Sequence, residues 1–262
     1  YFYKGEITGK FEIYGKKCKE VFEHSKYVGT VLQDSDAQFV GLTVAEDIAF
    51  ALENDEVETA VMKEKVKEIA QFVRIETLLD LKPHDLSGGQ KQKVSLAGIM
   101  VDDTNIVLYD EPLANLDPLS GKYAIELISE LHKDKKLTTI IIEHRLEDVL
   151  HREIDRIIVV DKGRIIADDT PDNILTGNLL SSMNIREPLY ISLLKYSNAN
   201  LEKYSSISNI EKIDFSESKD GILNWIKYNS PKAREKSEET LLKLENISFS
   251  YNKKRKILKN ID

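Results

Sequence analysis

The stretch Ile106-Val107-Leu108-Tyr109-Asp110-Glu111-Pro112 is an apolar run that ends in two carboxylates and a proline. A continuous apolar run is typical of a strand that is buried on both faces of a sheet. A second run spans Leu137–Ile142, and segments with helical periodicity separate the two. This alternation favours an α/β fold with a parallel core sheet, in which ligands bind at the carboxyl ends of the strands. Asp110 and Glu111 are therefore candidate functional residues.

Upstream of this strand, Leu86-Ser87-Gly88-Gly89-Gln90 predicts the start of a helix, with Ser87 as its cap and Gln90 at capping-box spacing. The adjacent glycines leave the backbone N–H groups unobstructed, and the helix dipole adds positive potential there. The pattern predicts a site for an anionic phosphate group. The alternative is a capped helix with no ligand, because Ser-x-x-Gln is a common helix start.

Two more polar side chains follow predicted strands. Gln33 ends the predicted strand Val28–Leu32, and His144 follows the strand that ends at Ile142. An imidazole at this edge of the sheet can donate a hydrogen bond to a phosphate. A lone Gln or His in such a position is more often structural, so the assignment depends on the combination of motifs.

In combination, these segments resemble the motifs of ATP-binding-cassette (ABC) transporter ATPases. Residues 86–90 resemble the signature motif, residues 106–112 the Walker B motif and residues 113–117 the D-loop. Residues 139–145 are similar to the segment with the switch histidine, and residues 31–40 to the Q-loop. The resemblance implies a P-loop NTPase-like domain with a parallel core sheet and a helical signature subdomain, incomplete at its N-terminus.

The resemblance also implies cofactors and roles. ATP and Mg²⁺ would be the cofactors, with Asp110 and Gln33 near the metal. Glu111 would activate the attacking water, assisted by Gln33, and His144 would contact the γ-phosphate. A second group of residues would serve the nucleotide held by an opposite ATPase domain: Ser87, Gly88, Gly89, Gln90 and Asp117.

The sequence contains no Gly-x-x-x-x-Gly-Lys-Ser/Thr motif, the P-loop whose backbone wraps the phosphates. Gly5–Phe11 is one residue too short between its glycines, and Phe11 cannot ligate Mg²⁺. The alternating stretch Leu242–Tyr251 resembles the opening strand of a second such domain, in which Tyr251 would stack on adenine. We also expect this strand to pack in place of the missing first strand of the N-terminal domain.

Three regions follow from these assignments. Residues 1–170 are expected to be a first ABC ATPase domain without its P-loop. Within them, local patterns predict a strand at Phe11–Gly15, a helix that starts at Thr43 with Glu46 at capping-box spacing, a second helix over about residues 57–73, and a hairpin turn at Asp161-Lys162-Gly163. Residues 171–240 are polar and read as a linker or C-terminal extension, with one helix predicted over Asn184–Tyr196. Residues 241–262 are expected to begin a second ABC ATPase domain, and both P-loops are expected to lie outside the chain.

Composition excludes several classes. The 37 basic and 45 acidic residues give a net charge of −8, which argues against a bulk electrostatic grip on nucleic acid. Cys18 is the only cysteine, so no disulfide can form within the chain, which fits a reducing cytosol. The sequence has no apolar run of about 18 residues, the length needed to span a bilayer. The expected location is the cytoplasmic face of the membrane, as a peripheral subunit.

The region Gln33–Phe50 is apolar for a surface segment, and the resemblance implies that it receives a coupling helix from a transmembrane subunit. It is similar to the ATPases of energy-coupling-factor vitamin importers, within these to fused-duplicate ATPases of thiamine or hydroxymethylpyrimidine uptake. We therefore expect a parent ATPase that powers import of a small solute, and an inactive isolated chain. The alternatives are a non-transport ABC ATPase and a degenerate, non-catalytic cassette used for assembly.

Overall fold

The computed structural model describes residues 8–17, 21–33, 38–102, 104–114, 116–230, 240, 242–250 and 257–262. At the N-terminal side, β1 (Glu12–Ile13) pairs antiparallel with β2 (Lys16–Lys17), and α1 (Val21–Ser25) follows. Tyr14 and Gly15 both have positive φ and form the turn between the strands. The predicted strand at Phe11–Gly15 is therefore cut short by a hairpin.

The core sheet contains β3 (Val28–Val31), β4 (Ile106–Asp110) and β5 (Thr138–Ile142), in that order. All three strands are parallel, and Val31, Tyr109 and Ile141 lie side by side in register. The predicted α/β fold with a parallel core sheet is confirmed. Because the strands share one direction, the residues that follow them emerge at the same edge of the sheet.

Two long helices, α4 (Gly88–Met100) and α5 (Pro118–Lys135), pack against one face of the sheet. Val31, Val107 and Tyr109 point to this face and are at most 2% exposed. The helix α4 approaches β3 so closely that a Cβ atom on Gly29 would lie 2.1 Å from Cγ2 of Ile99. Glycine at this position is therefore required by the packing of helix on strand.

A helical subdomain precedes α4. It contains α2 (Val44–Asn54) and α3 (Thr59–Phe72), which confirms both predicted helices. The predicted capping box at the start of α2 is present: the Thr43 hydroxyl accepts from the Glu46 N–H at 3.2 Å, and Glu46 Oε2 accepts from the Thr43 N–H at 3.1 Å. The apolar stripe of α2, which is buried, joins the same core as α4.

The predicted burial of the second apolar run on both faces is wrong. In β5, Ile140 is 49% exposed and Ile142 is 60% exposed. The reason is that β5 is the edge of the three-stranded sheet within the described residues, and α4 and α5 cover only the other face. A separate hairpin of β6 (Ile157–Asp161) and β7 (Arg164–Asp169) follows α6 (Leu146–Val149). Its predicted turn is confirmed, since Lys162 and Gly163 both have positive φ.

The polar region after residue 170 folds into helices. These are α7 (Pro171–Thr176), α8 (Leu179–Ser182), α9 (Leu189–Tyr196) and α10 (Lys219–Asn229). They enclose a second hydrophobic core with residues of α6 and the β6–β7 hairpin. We call residues 171–229 the helical unit. The buried residues of this second core are Leu150, Val159, Ile174, Leu175, Leu180, Tyr190, Ile191, Leu194, Leu201 and Ile207.

The helix predicted from Asn184 begins only at Leu189. Pro188 precedes its first residue, and proline disfavours helical conformation in the residue before it. Within α9, Tyr190 is 8% exposed, and its hydroxyl lies 3.0 Å from the carbonyl oxygens of Ile207 and Ser208. Burial raises the pKa of the Tyr190 phenol to about 12.

The last described residues form a hairpin of β8 (Ile247–Phe249) and β9 (Leu258–Ile261). The expectation that this segment replaces a strand of the core sheet is wrong, because β8 pairs with β9 in a two-stranded sheet of its own. Closing a short hairpin loop costs less entropy than pairing with a strand more than 100 residues away. Tyr251, the predicted adenine-stacking residue, lies outside the described residues.

Candidate nucleotide-binding and hydrolysis site

The ends of β3 and β4 bring Gln33 and Glu111 together. The Gln33 amide Nε2 donates a hydrogen bond to Glu111 Oε2 at 2.7 Å. Gln33 lies two residues beyond β3, and Glu111 follows β4 directly. Because β3 and β4 are neighbouring parallel strands, residues distant in sequence meet at one edge of the sheet. Two predicted site residues are thus in direct contact.

The backbone at Glu111 is held in an uncommon conformation. Glu111 has φ of 45°, a left-handed conformation that costs energy for a residue other than glycine. Its N–H donates to the Ile142 carbonyl oxygen at 2.9 Å, which ties the end of β4 to the end of β5. From the other side, the Gln92 amide of α4 donates to the Pro112 carbonyl oxygen. These contacts aim the Glu111 carboxylate toward Gln33.

The predicted helix start at Ser87 is present. The helix α4 begins at Gly88, with Ser87 as its cap, and Ser87 and Gln90 form the expected capping box. The Ser87 N–H donates to Gln90 Oε1 at 2.9 Å. Ser87 and Gly88 are exposed and Gly89 is half-buried, and the two glycines carry no side chain that would shield their N–H groups from an anion.

Asp117 caps the N-terminus of α5. Its Oδ1 accepts from the N–H groups of Leu119 (3.0 Å) and Ser120 (3.1 Å), and its Oδ2 accepts from the Ser120 hydroxyl at 2.5 Å. The hydrogen bonds from Ser120 lower the pKa of the Asp117 carboxyl. A Cβ on Gly89 would lie 3.8 Å from Ser120, so the starts of α4 and α5 are neighbours.

His144 lies on the loop after β5, with a side chain that is 68% exposed. Its position at the sheet edge agrees with the prediction, and its ring Nδ1 lies 3.5 Å from Glu143 Oε1. Its two neighbours, Glu143 and Arg145, were not among the predicted site residues. Both bond to Leu113, in the loop after Glu111. The sequence did carry a signal for them, since a carboxylate and a guanidinium flank the predicted switch histidine.

A cavity of about 610 Å³ lies between α3, α5 and α4, the helix that starts at the predicted signature motif. Its lining residues include Ser87, Gly89 and Gln90 at the start of α4 and Tyr109 of β4. Burial raises the pKa of the Tyr109 phenol well above its usual range, so this hydroxyl stays protonated.

The oxygen donors at this sheet edge suit a Mg²⁺ ion whose remaining ligands are phosphate oxygens and water. Within the described residues, no cluster of three or more His, Cys, Asp or Glu side chains could enclose a metal ion. Mg²⁺ is usually held by one or two carboxylates and substrate phosphates. Asp110, the last residue of β4, and the side-chain oxygen of Gln33 are the groups that would hold it, and the ion would neutralise phosphate charge.

Four apolar side chains in the helical subdomain and the loop before it are exposed: Val40, Leu42, Phe50 and Leu81. Leu42 is 81% exposed and Val40 is 60% exposed. Two carboxylates of α2 shape this loop: Asp47 Oδ1 accepts from the N–H groups of residues 40 and 41, and Glu46 Oε2 from those of residues 42 and 43. We call these four apolar residues the docking surface.

Comparisons with known proteins agree with this geometry. A family model described as "ABC transporter" matches residues 3–114, and one described as "ATP-binding cassette cobalt transporter" matches residues 177–249. The second match covers most of the helical unit, in which the sequence analysis identified no motif. The fold, the helix start and the sheet edge thus define an ABC transporter ATPase domain.

Individual relatives refine the assignment. ABC transporter ATP-binding proteins from Clostridium perfringens (strain 13 / Type A) and Vibrio parahaemolyticus are 53% and 47% identical over 259 and 260 residues. Each alignment covers 98% of this chain but only 46% and 45% of the relative, so the chain spans less than half the length of these relatives.

A solved structure, CbiO1 from Clostridium perfringens, described as part of the ABC transporter complex CbiONQ, matches with a TM-score of 0.61 and 27% identity. The match covers 72% of this chain and 76% of that one. The chain therefore carries an ABC transporter ATPase domain. Among the described helices, none is long and apolar enough to cross a membrane.

Proposed function

We propose that the longer protein containing this chain hydrolyses ATP to power a membrane importer of a small solute, such as a vitamin. The observation that carries this proposal is the 2.7 Å hydrogen bond between Gln33 and Glu111. It places a candidate general base beside a residue that can orient the attacking water and contact Mg²⁺. A degenerate cassette would not be expected to keep this pair beside Asp110 and His144.

The nucleotide would be held between two ATPase domains. Glu111, Gln33 and His144 would act on the ATP bound by a P-loop that pairs with this sheet edge. The open helix start at Ser87–Gly89 would meet the γ-phosphate of the ATP bound by a second ATPase domain, and Asp117 would lie at that interface. This arrangement explains why the predicted hydrolytic residues lie at a sheet edge, whereas the predicted γ-phosphate contacts lie at a helix start.

The docking surface supports a transmembrane partner. Val40 and Leu42 are held outward by hydrogen bonds from their loop to Asp47 and Glu46, rather than folded into the core. Exposed apolar side chains on a constrained loop are typical of an interaction site. The protein would then lie on the cytoplasmic face of the membrane as a peripheral subunit.

Two cargo classes have support. The Q-loop region is similar to ATPases of vitamin importers, with thiamine or hydroxymethylpyrimidine as the specific proposal. The family model over residues 177–249 carries the description "cobalt transporter", which favours a metal ion. Uptake of radiolabelled thiamine and of radiolabelled cobalt, in cells with and without the gene, separates the two.

The test of the enzymatic proposal is ATP turnover by the purified longer protein and by its Glu111→Gln variant. We expect a loss of about 10²–10⁴-fold, the usual contribution of a general base, with nucleotide binding retained. Equal turnover by the two proteins would reject Glu111 as the base.

The purified 262-residue chain, which contains no P-loop sequence, is expected to show no Glu111-dependent turnover. Measurable turnover that disappears on Glu111→Gln substitution in this chain would contradict that expectation.

A further inference from the structure

A buried carboxylate joins the loops that leave β4 and β5. The Glu143 side chain is only 3% exposed and accepts three backbone hydrogen bonds. Its Oε1 accepts from the N–H groups of His144 (2.9 Å) and Arg145 (3.0 Å). Its Oε2 accepts from the N–H of Leu113 at 3.3 Å. Glu143 thus fastens the His144 loop to the loop that follows Glu111.

Arg145 makes the complementary contact. Its Nη1 donates to the carbonyl oxygen of Leu113 at 3.0 Å, and its Nη2 lies 2.6 Å from Asp148 Oδ2. The two residues that flank His144 therefore bind both the N–H and the C=O of Leu113. The Leu113 side chain is itself fully buried, so this residue is fixed through backbone and side chain together.

We propose that Glu143 and Arg145 are positioning residues that couple His144 to Leu113, the first residue of the predicted D-loop segment. This inference rests on the proposed function, in which that segment meets an opposite ATPase domain. When the opposite domain closes on the segment, the two bonds to Leu113 carry its displacement to the His144 backbone. His144 then reaches the γ-phosphate only when the two domains are engaged.

A purely structural role is the competing explanation, because any buried carboxylate with three N–H donors stabilises its loop. Two observations favour coupling. The three donors belong to two different loops, and both loops leave the sheet at the edge that carries the Gln33–Glu111 pair. The two explanations also predict different results. If Glu143 acts by coupling, its substitution affects turnover only when His144 is present, whereas a loss of stability lowers turnover with or without His144.

The experiment uses the longer protein with Glu143→Gln, His144→Ala and the double substitution. The amide keeps the shape of Glu143 but has one acceptor oxygen. If that oxygen accepts from the N–H groups of His144 and Arg145, the NH₂ group faces the Leu113 N–H. Two donors then face each other, and the hydrogen bond to Leu113 is lost. We expect kcat to fall by roughly tenfold or more, the size of a coupling between contacting residues, with the Kd for ATP changed less than about twofold.

The matched control is Glu187→Gln, the same substitution at a carboxylate that is 7% exposed in the helical unit and pairs with Lys195 at 2.6 Å. Turnover of this control should stay within about twofold of the unsubstituted protein. In the His144→Ala background, adding Glu143→Gln should cause no further loss. A further loss of similar size, or an equal loss in the control, would show that Glu143 acts only through stability.

Hydrogen–deuterium exchange separates this inference from the proposed function. Peptides that span residues 111–117 should exchange faster in Glu143→Gln than in Glu187→Gln, because the Leu113 N–H has lost its acceptor. Unchanged exchange would overturn the coupling whatever the turnover. If His144→Ala alone leaves turnover intact while exchange changes as expected, the proposed role of His144 fails and the connection between the loops stands.

Discussion

Gln33 donates a 2.7 Å hydrogen bond to the carboxylate of Glu111, although 78 residues separate the two in sequence. The bond crosses from the end of β3 to the end of β4. It constrains the carboxylate of the candidate base at the edge of the sheet where the predicted site residues lie.

Replacing Gln33 with glutamate tests this contact. Gln33→Glu would remove the amide donor and place a second carboxylate within hydrogen-bonding distance of Glu111, where like charges repel each other. We expect kcat of the longer protein to fall by about tenfold or more, because the repulsion moves the Glu111 carboxylate from its position.

The control is Gln33→Leu, which removes the hydrogen bond without adding charge. It should lower kcat less than Gln33→Glu does. If Gln33→Glu lowers kcat no more than Gln33→Leu, charge repulsion between positions 33 and 111 does not affect the candidate base.

Gly29→Ala is expected to destabilise the protein. The added methyl group would lie 2.1 Å from Ile99 Cγ2, so α4 would have to shift from β3, at a cost of about 1–3 kcal/mol typical of overpacking. Gly98→Ala is the contrast within α4, because its Cβ would lie 3.9 Å from Asp47 and Ile48. That change should stabilise by about 0.5–1 kcal/mol through helix propensity. Chemical denaturation measures both, and loss of stability in both variants would contradict this account.

Tyr190→Phe is expected to destabilise the helical unit by about 1 kcal/mol, since the carbonyl oxygens of Ile207 and Ser208 lose their donor. Below pH 10 the phenol is protonated in both the folded and unfolded states. Its folded-state pKa of about 12 exceeds the ordinary value of 10.0, so the associated stability falls as pH rises from 10 to 12.

The check for Tyr190 is the free energy of unfolding of both proteins across this pH range. The difference between them should shrink as pH rises through this window. A constant difference would mean that the hydroxyl does not titrate in the folded state as expected.

Leu42→Ser tests the docking surface. Leu42 is 81% exposed, so the change should leave the free energy of unfolding nearly unaffected. If this residue meets a transmembrane subunit, binding should weaken by about tenfold, the cost of truncating an important interface residue. Co-purification with the membrane subunits in detergent measures it. Tyr228→Ser, at a position 83% exposed on α10, is the control and should bind normally.

Local patterns predicted much of the structure. The capping boxes at Thr43 and Ser87 and the turn at Lys162–Gly163 depend on side chains within a few residues of each other, and all three are present. The strand ending at Asp110 was recognisable because its apolar run is continuous.

The errors share a cause in long-range packing. Ile140 and Ile142 look like core residues, but whether a strand is covered depends on what lies against its faces. The helical unit was missed because its core combines apolar residues of α7 and α9 with residues of α6 and β6. No short window of sequence contains that combination.

By itself, the sequence determined the chemical groups and the strand ends on which they lie, because periodicity, capping and apolar runs are local properties. Only the tertiary structure decided which of these groups meet. The parallel register of β3, β4 and β5 puts Gln33 against Glu111, and the return of the chain after β5 lets Glu143 and Arg145 hold Leu113. Such contacts depend on the packing of helices against a sheet, which no local pattern encodes.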